Sequence, residues 1–110
     1  MSDLKEQKKD ITLIIEKEYQ TFNEFYSENK CDIFSAFLDL FQIMDKERER
    51  NEFVLEVVWK IKKSTITTEY QYDRNSTHLL EEVLLPYFEE IEDYETCQLI
   101  LKLNENLKNH

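Results

Sequence analysis

The chain has 110 residues, 41% of them hydrophobic, a formal net charge of −10 and no glycine. That length and apolar content predict one domain, residues 1–110, with a packed core rather than disorder. Without glycine there is no glycine-dependent phosphate loop, dinucleotide fingerprint or nucleophile elbow, and the acidic balance argues against a nucleic-acid-binding face.

Charge is spread unevenly. Residues 1–52 carry 13 acidic and 8 basic groups, residues 53–75 carry 3 and 4, and residues 76–110 carry 8 and 2. The start, MSDLKEQKKD, lacks the apolar segment of a secretory signal. No apolar run approaches the ~20 residues that span a bilayer. A cytoplasmic protein away from membranes is expected. Cys31 and Cys97, far apart and outside any CxxC pair, read as reduced thiols. The Asn75-Ser76-Thr77 sequon then reads as chance.

In chain order, Asp3 and Glu6 form a capping pair for a first helix. Ile11, Ile14, Ile15, Tyr19, Phe22, Phe25 and Tyr26 continue it at helical steps to about Glu28. Ser27 to Lys30 is a polar break, with Asp32 capping a second helix. In Ile33 to Met44, IFSAFLDLFQIM, nine of twelve residues are apolar. The exceptions Ser35, Asp39 and Gln42, flanked by Asp32 and Lys46, form one narrow polar stripe. A helix of this kind must be covered on two sides, and the rest of the chain is arranged to cover it. Asp39 belongs to the stripe and needs no buried partner. In the following run, Arg48 and Arg50 are neutralised by the interleaved glutamates.

Phe53 to Ile61 reads as a strand, because Phe53, Leu55, Val57, Trp59 and Ile61 alternate and β-branched residues are dense. A helical reading aligns Val54, Val57, Val58 and Ile61 instead. Ile66, Thr68, Tyr70 and Tyr72 alternate in a second strand, with a four-residue loop at Lys62 to Thr65 around a type I turn. Ser76 or Thr77 caps a helix that Pro86 kinks or breaks. A last helix restarts near Asp93. The expected fold is α+β, ordered α–α–β–β–α–α, with helices packed on one face of a short antiparallel hairpin. The alternative is an all-α bundle. Two unpaired hairpin edges predict a homodimer or an added strand.

No catalytic or metal-binding grouping is visible, and neither enzyme activity nor a cofactor is expected. His78 has no second histidine nearby, and neither cysteine has a context that depresses its pKa. Lys60, Lys62 and Lys63 read as guards of a strand edge. The densest constellation is acidic: Glu81, Glu82, Glu89, Glu90, Glu92, Asp93 and Glu95, with no lysine or arginine between Arg74 and Lys102. It is either a solvated face or a docking surface for a basic protein partner. Glu90 to Leu99 resembles the helical-hairpin interaction motif shared by the UvrB and UvrC repair proteins. Leu101-Lys102 stands where that motif has an arginine–aspartate pair, so no function is drawn from it. The leading expectation is a non-catalytic protein-binding module of inhibitor, immunity, adaptor or anti-defence type. The second is a small homodimeric secretion or folding chaperone that binds an extended client.

Overall fold

A computed structural model describes residues 9–108. The Asp3–Glu6 capping pair and His110 lie outside them. The fold is α+β. Strand β1 (Ile11–Tyr19) is followed by helix α1 (Phe22–Lys46) and by strands β2 (Glu52–Ile61) and β3 (Ser64–Asp73). The sheet order is β1-β2-β3, with β1 parallel to β2 and β2 antiparallel to β3. A 3₁₀ turn (Arg74–Thr77), a π turn (Leu80–Leu84), α2 (Leu85–Glu90) and α3 (Tyr94–Lys108) complete the chain.

The first expected helix is therefore half wrong. Of its described residues, Ile11–Tyr19 form β1, and those from Phe22 on belong to α1. Ile11, Leu13 and Ile15 alternate toward the core while Ile14 is 60% exposed, so the strand period describes ITLII as well as the helical steps do. A parallel strand pair needs a long crossover, and α1 is that crossover. The clamp at the start of β1 is Asp10, whose side chain is only 6% exposed. Asp10 Oδ2 accepts the Val54 backbone N–H at 2.9 Å, and the carboxylate meets the Arg50 guanidinium at 2.8 Å.

The expected break at Ser27 to Lys30 does not occur. Thr21 caps α1 by accepting the Glu24 N–H, and the helix runs on unbroken. Buried Asn29 is tolerated because its amide donates to the Phe25 carbonyl and the Tyr19 hydroxyl, at 2.8 and 2.9 Å.

The stretch Ile33–Met44 is covered as expected. Leu40, Phe41 and Met44 are fully buried, and Asp32, Ser35, Asp39 and Lys46 lie exposed along the polar stripe. The sheet contributes Phe53, Leu55, Val57 and Trp59 to the same core, and Leu80, Leu84, Phe88 and Ile100 come from the C-terminal helices. Trp59 stacks on Phe25 with ring centroids 4.2 Å apart. Arg74 closes the far end of α1, its guanidinium donating to the carbonyls of Met44, Glu47 and Arg50.

Two tight places lack the glycine they would normally use, and a third is strained by proline. The β2–β3 connection is a two-residue turn, Lys62-Lys63, not the expected four-residue loop, and both residues have positive φ (47° and 70°). Tyr19 and Glu18 at the end of β1 support it, accepting the N–H groups of Lys62 and Lys63 at 3.0 Å each. At Pro86 a new segment opens, the second of the two expected outcomes: α2 starts at Leu85 with Pro86 in its first turn. The turn before it widens to a π turn in which the Leu85 N–H reaches the Leu80 carbonyl, relieving the clash that proline imposes on the preceding turn. After α2, Glu92 takes φ 63°. The Asp93 and Glu92 N–H groups return to the Phe88 and Glu89 carbonyls, the Schellman pattern with glutamate at the usual glycine position.

Candidate functional site

Two surfaces of the described residues stand out. The first is the acidic cluster, which the structure divides: Glu89, Glu90, Glu92, Asp93 and Glu95 lie at the corner where α2 meets α3, whereas Glu81 and Glu82 lie in the π turn, Glu81 beside the other end of α3. Two of its seven carboxylates have structural work. Glu81 accepts the Asn104 amide at 2.7 Å and pairs with Lys108 at 3.4 Å. Asp93 caps α3, accepting the Thr96 N–H and hydroxyl at 3.3 and 2.7 Å. The other five, Glu82, Glu89, Glu90, Glu92 and Glu95, are exposed and make no ion pair among the described residues. The corner also presents apolar surface that the charge pattern did not announce. Ile91 is 47% exposed and Tyr94 62%, flanked in sequence by those glutamates. Leu101, seven residues beyond Tyr94 and thus on the same face of α3, is exposed as well. Asp32 from α1 borders the region: it and Glu90 both act on the Tyr87 phenol. That phenol is pushed above its ordinary value first by burial, then by a hydrogen bond to Cys31.

The second surface is a cleft of about 220 Å³ between α1 and the β2–β3 hairpin. Phe22, Tyr26 and Phe37 of α1 form one wall, Trp59 and Val57 the floor, and Thr68, Tyr70 and Tyr72 of β3 the far side. It exists because α1 lies over β1 and β2, leaving the inner face of β3 only partly covered. Burial raises Tyr70 and Tyr72 above the ordinary tyrosine value. Tyr26 adds to the effect on Tyr70, and Tyr70 to that on Tyr72, and the Phe37 ring centre lies 5.2 and 5.6 Å from those of Tyr70 and Tyr72. Beside the cleft, the Lys30 ammonium sits 5.5–5.7 Å from the ring centres of Tyr26, Phe34 and Tyr87. Sequence reasoning missed this cleft. Its signals were the even-numbered side chains of β3 and the Phe22–Tyr26 pair, but which helix flank the hairpin leaves uncovered is a tertiary fact.

The remaining candidates are ordinary. Arg48 pairs with Asp45 at 2.6 Å, and Arg50 with Glu47 and, from outside the run, Asp10, so among the described residues the expected neutralisation by interleaved glutamates holds only for the Arg50–Glu47 pair. His78 is exposed, its Nδ1 3.3 Å from the Asn75 carbonyl. Burial, together with the Glu89 and Asp93 carboxylates, pushes the Cys97 thiol up, away from the reactive thiolate. Both cysteines are free. No three His, Cys, Asp or Glu side chains among the described residues form a metal-binding group, and no described helix is long and apolar enough to cross a membrane. Comparison with known proteins returns no matching family model, curated protein or solved structure.

Proposed function

We propose that this chain is a non-catalytic protein-binding module whose α2–α3 corner docks a basic protein. The observation that carries the reading is the pairing of four unneutralised glutamates, Glu89, Glu90, Glu92 and Glu95, with exposed Ile91 and Tyr94. An apolar anchor supplies affinity, and a charged rim supplies rate and selectivity. Two free thiols suit a reducing compartment, and the reading includes a cytoplasmic location.

The test begins with a partner captured from the native host and then purified. Tyr94→Ala should weaken its binding at least tenfold through faster dissociation. Glu89→Gln/Glu90→Gln/Glu92→Gln should slow association and flatten its salt dependence. A partner whose rates and salt dependence ignore both variants overturns the reading. The aromatic cleft favours a second function, a chaperone holding apolar side chains of an extended client. In that case binding is salt-insensitive and is lost with Tyr70→Ala instead.

A further inference from the structure

The two edges of the sheet are built differently. Along β1 the pairing slips between Ile14 and Glu18, and Glu16, Lys17 and Glu18 crowd the irregular stretch. Lys17 is strapped across to Glu28 at 2.8 Å. Bulges and charges of this kind stop another strand from adding. β3 has neither protection. It pairs with β2 without a slip from Ser64↔Ile61 to Asp73↔Glu52, contains no proline, and carries charge only at Glu69 and Asp73. A two-residue turn closes on a hydrogen-bonded pair, here Ile61–Ser64, so the even-numbered residues of β3 bond to β2. The backbone groups of Thr65, Thr67, Glu69 and Gln71 point outward.

We propose that this edge pairs antiparallel with the β3 edge of a second copy, centred on Thr68, joining two sheets into one of six strands. The edge is self-complementary in that register. Thr68 faces Thr68 of the second copy, Ile66 faces Tyr70, Thr67 faces Glu69, and Lys63 faces Asp73. These are the threonine, aromatic–β-branched and opposite-charge pairs that stabilise neighbouring strands. Centring on Glu69 instead sets two carboxylates against each other. Centring on Thr67 moves Lys63 opposite Gln71 and forfeits the ion pair. Residues of equal parity face each other, so both helix layers lie on the same side of the joined sheet. There is room for them, because α1 packs mainly over β1 and β2 and reaches β3 through Phe37 and Phe41 against Tyr70 and Tyr72. Tyr70, on the cleft wall, then stands beside Ile66 of the second copy, and the two clefts meet along their β3 sides. Lys63 becomes a contact of this seam rather than a guard against it.

Light scattering should give twice the 13.5 kDa chain mass. Thr67→Pro removes an outward N–H and leaves the β2 ladder intact, so it should give a monomer with unchanged circular dichroism. Lys63→Glu, at the exposed turn, should raise the dimer dissociation constant about tenfold, the effect of inverting two symmetric ion pairs. In a Cys31→Ser background, Thr68→Cys should form a disulfide-linked dimer under mild oxidation, since unbonded antiparallel pairs hold Cα atoms ~4.5 Å apart. Glu69→Cys should not. A wild-type monomer at every accessible concentration overturns the proposal, as does a dimer indifferent to both Thr67→Pro and Lys63→Glu. So does a monomer whose β3 amides gain protection only when an extended peptide is added, which would assign the edge to a foreign strand.

Discussion

Ile33–Met44 and Ile11–Tyr19 are both apolar stretches whose residues fall at helical steps, yet one is the second half of a helix and the other a strand. In the first, nine apolar residues leave only one polar stripe, and no strand can bury side chains that point all round. In the second, Ile11, Leu13 and Ile15 satisfy the strand period while Ile11, Ile14 and Ile15 satisfy the helical one. The decision passes to the neighbours: β2 has an edge to be paired, and Asp10 with Arg50 clamps the start of β1 beside Val54. An apolar pattern is decisive when it excludes the other period, and indifferent when it fits both.

The sharpest way to break this comparison is at the core of α1. Phe41 is fully buried, and Phe41→Ala should cost about 3–5 kcal/mol through lost burial and a cavity. Phe37 lines the cleft and is only half-buried, so Phe37→Ala should cost less, about 1–2 kcal/mol. Equal losses in denaturant melts would mean that the cleft is closed in solution. Amide exchange should be slowest between Ile33 and Met44.

At β1 the effect is smaller and concerns the clamp. Asp10→Ala leaves the buried Val54 N–H without its acceptor and should cost about 1–3 kcal/mol, with faster exchange along β1. A helix over residues 11–19 would make the substitution nearly silent.

The glycine-free turns are next in size, and they should respond in the opposite direction. Lys62→Asn/Lys63→Gly matches the positive φ values of the hairpin and should stabilise by about 1 kcal/mol. Glu92→Gly should add a similar amount at the end of α2. No gain in melting temperature from either would show that the surrounding contacts already absorb the strain.

Alkaline pH should give the smallest effect. Tyr70 and Tyr72 hold their protons more tightly folded than unfolded, because burial disfavours the phenolate. Their contribution is intact below the ordinary tyrosine pKa and is lost as pH rises through the higher folded values. Tyrosinate absorbance should therefore appear later than in the unfolded chain, and Phe37→Ala, which opens the cleft beside them, should advance it.

Much of the fold was legible because one reading of each segment dominated. The stripe of Asp32, Ser35, Asp39 and Gln42, the inward alternation of Phe53 to Trp59, and the restart of α3 after Asp93 all follow from side chains that fit one period. The candidate site was half legible. Five free glutamates could be read from the absence of nearby lysine, but the capping role of Asp93 and the Glu81–Lys108 pair depend on where two helices meet.

The sequence by itself determined that Ile33–Met44 is buried on two sides and that the hairpin turns Trp59 inward, since the hydrophobic cost of any other placement is local and large. Only the tertiary structure decided that residues 11–19 form a strand, that Ser27 to Lys30 stays helical, and that Lys62-Lys63 makes a two-residue turn. Each of those depends on a hydrogen-bond partner distant in sequence: Val54 for Asp10, the Tyr19 hydroxyl for Asn29, and Glu18 for Lys63. Local periodicity carries no information about such partners.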